Sequence, residues 1–182
     1  MMKQFLLLIS LFLFTHFATA QVHFGIGGGG SAGVGDISPF SSAGYSAYVE
    51  LSYDFNENMV AVLSGQVNGF VALPLDVSLA QAWYQIPVMA VGRYYILPKD
   101  GESMFKPYVQ GGIGGVKSYY LKADPLNPGG DPQVIDDFWS FGYKVGVGVG
   151  LSIFNLQLNY LNAGKYQEYT LGSMDMTLGL LF

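Results

Sequence analysis

Apolar and small or polar side chains alternate through the end of the chain. The even positions read Gly172, Met174, Met176, Leu178, Leu180 and Phe182, and the odd positions Ser173, Asp175, Thr177, Gly179 and Leu181. A period of two is a strand, and two unlike faces mean a strand between two unlike environments. The same period recurs in seven earlier stretches. These run over 22–34, 43–55, 59 to about 70, about 79 to 96, 105–121, 138–153 and 155 to about 163. The sixth is the clearest, with Trp139, Phe141, Tyr143, Val145, Val147, Val149, Leu151 and Ile153 against Ser140, Gly142, Lys144, Gly146, Gly148, Gly150 and Ser152.

The connections alternate in length. Tight turns are predicted at Asp54–Asn58 and Phe154–Asn155, with a modest one at Leu97–Met104. Longer loops are predicted at Asp36–Ser42, Val71–Ser78, Lys122–Asp137 and Gly164–Tyr169. About eight strands with short turns on one side and long loops on the other predict an all-β, antiparallel, up-and-down transmembrane β-barrel. Both mature termini are then expected on the periplasmic side.

A soluble barrel also alternates, but its water-facing side should be rich in Lys and Glu. Here the non-apolar face is mostly Gly and Ser, which suits a narrow interior. Aromatic residues gather near strand ends: Phe24, Tyr53, Tyr94, Phe105 and Phe182 at one rim, Tyr45, Tyr84, Tyr119 and Trp139 at the other. Two aromatic girdles around an aliphatic band match a bilayer. Pro87 and Pro107 fall inside predicted strands and are read as bulge or strand-start positions. Lys117 falls on the lipid face, to be explained by snorkelling at the rim or by a shifted register.

Composition agrees with a lipid-facing chain. Hydrophobic residues make up 51% and charged residues 12%, against roughly 25% charged in soluble domains. Beyond the amino terminus no apolar run reaches the length of a spanning helix. The amino terminus carries Lys3, an apolar stretch from Phe5 to Phe14, and Ala18-Thr19-Ala20. That order predicts a secretory signal peptide over residues 1–20 and a barrel domain over 21–182. The chain has no cysteine, and export without disulfides fits a bacterial envelope. A formal net charge of −5 argues against nucleic acid as a partner.

Two phrases carry a family resemblance. Tyr84-Gln85-Ile86-Pro87-Val88-Met89-Ala90-Val91-Gly92-Arg93-Tyr94-Tyr95 and Lys106-Pro107-Tyr108-Val109-Gln110-Gly111-Gly112-Ile113-Gly114 resemble successive strands of the small outer-membrane barrels (PorT-like, OmpX-like) of Bacteroidetes. The resemblance implies an outer-membrane location and insertion by the barrel-assembly machinery, for which Leu178, Leu180 and Phe182 would be the terminal signal. It implies no single activity.

Candidate chemistry is sparse. Gly25-Ile26-Gly27-Gly28-Gly29-Gly30 satisfies G-x-G-x-x-G, but a dinucleotide site needs a helix next, and a strand pattern continues instead. Glu50, Arg93, Lys144 and Asp175 fall on inward positions. Isolated charges in a narrow lumen are costly, so they should pair. They form either a gated ion path or an electrostatic plug, and a narrow barrel favours the plug. Asp124, Asp131, Asp136 and Asp137 in the loop Lys122–Asp137 could contact a cation or bridge to lipopolysaccharide, though without EF-hand order; a solvated, proline-stiffened turn is the simpler reading. His23, at the start of the first strand, is the sole histidine beyond the signal, and Ser140, Ser152 and Ser173 are placed away from it. A lipid-modifying enzyme would need such a pair. The favoured reading is a non-enzymatic outer-membrane protein with a structural or interaction role through its outer loops. A narrow pore or small-solute-binding barrel is the alternative. The expected partners are outer-membrane lipids and lipopolysaccharide, the assembly machinery and an unidentified protein. No cofactor and no metal are expected.

Overall fold

The computed structural model describes residues 22–37, 43–72, 80–99, 102–123, 133–166 and 168–182, and the signal stretch lies outside the described residues. Eight strands run in chain order around a closed antiparallel barrel. They are β1 (Val22–Val34), β2 (Ala43–Asp54), β3 (Met59–Ala72), β4 (Ala80–Tyr95), β5 (Phe105–Ala123), β6 (Gln133–Leu151), β7 (Phe154–Tyr166) and β8 (Tyr169–Leu181). β1 closes on β8 from Gly25↔Leu181 to Val34↔Gly172. The fold class is as expected.

The alternation sorts as predicted. Leu63 and Ile113 each leave 57% of their surface uncovered, whereas Glu50, Arg93, Lys144 and Asp175 are buried. Large apolar side chains therefore cover the outside, and the lumen holds the ions. Such an exterior suits hydrocarbon rather than water. The lumen is less polar than the glycine-and-serine pattern predicted, because Val60, Val62, Phe70, Met89, Val91, Tyr95, Tyr108, Val116, Leu161 and Leu171 also point in and are buried.

Three local expectations are corrected. The β6–β7 turn sits at Ser152–Ile153, with Leu151 opposite Phe154 and Ser152 at φ 58°. Phe154 and Asn155 are thus strand residues. β6 starts at Gln133, so Asp136 and Asp137 belong to a strand and not to a loop. Pro87 causes no bulge: the β3–β4 register is the same on both sides of it, and the ladder only lapses opposite Gln66 and Val67. A bulge does occur at Tyr120/Leu121, but it lies beyond Lys117, which keeps its outward position.

Inward glycines of the wall are there for closeness. A Cβ on Gly29 would overlap the carbonyl oxygen of Met176 on β8, and one on Gly148 would overlap the Tyr108 ring. The glycine run of β1 thus serves strand packing.

Candidate functional site

Glu50 on β2, Arg93 on β4, Lys144 on β6 and Asp175 on β8 are buried in the lumen, and one polar network takes in all four. Arg93 on β4 grips Glu50 on β2 with two parallel bonds of 3.1 and 3.0 Å, the fork geometry that suits guanidinium and carboxylate. Its Nε donates to Gln110 Oε1 at 3.1 Å, and its guanidinium lies 4.5 Å from the centre of the Tyr108 ring. Gln110 Nε2 donates to Gln157 Oε1 and Asn159 Oδ1. Asn159 donates on to Asp175 at 3.0 Å. Gln66 then joins the second pair of charges: its Nε2 donates to Asp175 Oδ1 at 3.0 Å, and its Oε1 accepts from Lys144.

Of the four lumen charges, Glu50 and Arg93 form a direct ion pair. Lys144 and Asp175 are linked only through an amide. Gln66, Gln110, Gln157 and Asn159 carry the connection and are not among the candidate site residues read from the sequence. Their signal was available, since buried amides at inward strand positions are the groups that can both donate and accept.

Aromatic and apolar side chains stand on either side of this polar belt. At the turn end, Val60 and Val62 pack with Tyr95 and Tyr108, whose rings are 5.1 Å apart. At the loop end, Trp83 lies 5.8 Å from Tyr120, 6.0 Å from Phe138 and 5.9 Å from Tyr166. Phe138 stacks on Tyr166 at 4.7 Å. Leu161, Leu171 and Val116 are buried beneath.

At the turn-end mouth, His23 Nε2 and Asp54 Oδ2 are 3.0 Å apart, and Lys99 pairs with the same oxygen. Ser52 Oγ donates to the His23 carbonyl rather than to its ring. Among the described residues no serine or threonine hydroxyl is bonded to this imidazole.

Of the four aspartates, Asp136 and Asp137 go to different partners. Asp124 and Asp131 lie outside the described residues. Asp136 accepts from the Tyr166 hydroxyl. Asp137 pairs with Lys117 on the outer surface, beside the rings of Tyr119 and Trp139. That ion pair explains how a lysine is tolerated on the outward face at the aromatic rim. Among the described residues there is no group of acidic, histidine or cysteine side chains that could hold a metal ion. Leu178 and Phe182 are exposed outward, and Phe182 exchanges two backbone bonds of 3.0 and 2.8 Å with Phe24. The tail therefore forms the closing seam.

No protein-family model matches the chain, and no curated protein matches its sequence. Solved structures do match in fold. Neisserial surface protein A (NspA) is 15% identical with a TM-score of 0.62, over 89% of this chain and 96% of its own. Ail, the attachment invasion locus protein of Yersinia pestis, solved with the heparin analogue sucrose octasulfate, is 14% identical with a TM-score of 0.61, over 88% of this chain and 97% of its own. The outer membrane enzyme PagL is 16% identical with a TM-score of 0.50, over 86% of this chain and 98% of its own. The chain shares the architecture of small eight-stranded outer-membrane barrels, an architecture common to an enzyme and to surface proteins.

Proposed function

We propose that the protein is a non-enzymatic integral outer-membrane barrel that contacts a protein partner through its loop end, with both mature termini in the periplasm. The observation that carries this reading is the β5–β6 hairpin. Each of its strands has 19 residues, against 13 in β1 and β8. At about 3.3 Å per residue it runs on the order of 60 Å, well beyond an apolar band about 25 Å tall even when tilted. The β6 ladder to β7 ends at Tyr143↔Asn162. Asn162–Gly164 stays against Ser140 and Phe141 around Gly164, whose φ is 84°. Among the described residues, Gln133–Asp137 then has β5 on one side and no strand on the other. Val134 and Ile135 are exposed there. A free strand edge with apolar side chains is a template for an added strand.

A polyanion of the kind bound to Ail suits this chain less well, because its net charge is −5 and Asp136 and Asp137 lie on this hairpin. The girdles support contact with outer-membrane lipids and lipopolysaccharide. Leu178, Leu180 and Phe182, at the closing seam, support the reading of the tail as the signal to the assembly machinery. The two sequence phrases support a source among Bacteroidetes.

Cross-linking in intact cells followed by pull-down tests the partner. A specific cross-linked protein should be recovered with the natural chain and lost with Ile135→Lys, which places a charge on the free edge without touching the belt. Recovery of the same protein with Ile135→Lys refutes the role of the edge.

A further inference from the structure

Asn68, Gln85 and Ser118 are register partners across β3, β4 and β5, and all three are fully buried in the lumen. Trp83 holds the next inward position of β4, toward the loop end, between Phe70 and Tyr120. Four polar atoms of this group make no hydrogen bond: Asn68 Nδ2, Gln85 Nε2, Ser118 Oγ and Trp83 Nε1. Every one of them can donate. Asn68 Oδ1 accepts from Gln66 Nε2 at 2.7 Å and Gln85 Oε1 accepts from the Ser173 hydroxyl at 3.3 Å, which leaves the two amide nitrogens to the row. A row of donors buried without acceptors is costly.

The neighbouring charge has the matching sign. Lys144 is buried and donates to Gln66, the amide that also holds Asn68. An ammonium has three N–H groups. Among the described residues no carboxylate lies within ion-pair distance of Lys144. The two Asp175 oxygens are taken by Gln66 and Asn159.

We propose that this layer of the lumen binds a small inorganic anion of halide size, held by the N–H and O–H groups of Asn68, Gln85, Ser118 and Trp83, with Lys144 as the cation beneath. The argument is complementarity: a halide only accepts, and each of the four unbonded atoms has a hydrogen to donate. One water oxygen accepts only about two hydrogen bonds and would leave part of the row unmet, whereas a halide accepts from every side. Phe70, Met89 and Val116 are buried around the row, so a bound ion would be enclosed by apolar side chains. The inference goes beyond the partner-docking reading and does not depend on the β6 edge.

Trp83 and Trp139 are the two tryptophans of the chain, so Trp139→Phe leaves Trp83 as the sole indole. This protein, in lipid nanodiscs, is titrated with sodium bromide at ionic strength held constant with sodium sulfate. Saturable quenching of Trp83, reversed by chloride, is expected. Ser118→Ala should weaken the apparent affinity about tenfold, the loss of one hydrogen bond to an ion. Asn68→Asp should abolish the response, because its carboxylate supplies the negative charge. Should Asn68→Asp fail to fold, Ser118→Ala decides. Crystals grown in bromide should show an anomalous peak beside Gln85. Linear quenching that is the same in every variant, or an ordered water in place of that peak, overturns the proposal.

Discussion

Replacing Arg93 by methionine tests whether the lumen is held by paired charge. The side chain keeps much of its bulk and loses its ion. The guanidinium makes two bonds to Glu50 and one to Gln110, and lies over Tyr108. Without it, Glu50 remains buried with no cation in contact. A Cβ on Gly25 would stand 2.7 Å from the Glu50 Cγ, so the Glu50 stem already lies against β1. Breaking one partner of a buried pair costs about 3–5 kcal/mol, and the lost ring contact adds about 1–2 kcal/mol. Removing both charges in Glu50→Gln/Arg93→Met should recover at least about 2 kcal/mol of that loss, because no unpaired ion is left. The measurement is urea unfolding in phospholipid vesicles, followed by tryptophan fluorescence and circular dichroism, for the natural chain, both single variants and the double variant. If Arg93→Met lies within about 1 kcal/mol of the natural chain, or if the two single losses simply add, the pair does not hold the lumen.

Gly29→Ala should destabilise the barrel by about 1–3 kcal/mol through overpacking against β8. Gly30→Ala, whose Cβ would meet nothing within 4 Å, should stay within about 0.5 kcal/mol; equal effects in the same unfolding assay would disprove the packing account. Asp137→Asn should cost under about 1 kcal/mol, as the pair with Lys117 is half-exposed on the acid's side, and a larger loss would mean that the pair sits in hydrocarbon. Deleting Phe182 removes its two backbone bonds to Phe24 and should lower the fraction inserted in cells, read by heat-modifiable migration on gels; unchanged insertion would rule out the tail signal. The natural protein in planar bilayers should pass no discrete current, and a reproducible single-channel step would revive the pore.

The outward half of this molecule was legible because it answers to one rule. Within the apolar band every second residue of a strand meets hydrocarbon, so Met174, Val147 or Leu51 could be placed by parity alone. The inward half answers to many neighbours at once. Parity placed Lys144 and Asp175 inside but could not show that Gln66 would stand between them, since β3, β6 and β8 are far apart in the chain. The same limit hid Val60, Met89 and Leu161 among inward positions. Short-range signals also misled at the β6–β7 turn. Phe154-Asn155 looks like a turn, but Ser152 takes the left-handed conformation and Leu151 pairs with Phe154. Asp136 and Asp137 read as loop residues beside a proline-rich stretch, yet one is bonded to Tyr166 and the other to Lys117.

The position of the membrane boundary at the loop end follows from two independent constraints. A strand edge exposed to lipid would leave backbone N–H and C=O groups unsatisfied at several kcal/mol each, so open edges do not stand in hydrocarbon. Gln133–Asp137 of β6 is such an edge among the described residues, and it must therefore lie in water. Trp139, two positions below, is two-thirds exposed on the outer face, as an interfacial anchor should be. Lys117 and Asp137 form their ion pair between these levels, with Tyr119 and Trp139 beside the ammonium. Hydrogen bonding and side-chain partition thus place the boundary at the same rung. The hairpin above it stands in water, and the lumen below it is filled by its own network. On the proposed reading, recognition and stability fall on different parts of the same β6 strand, and changes to Val134 or Ile135 should leave the fold of the Lys144 layer intact.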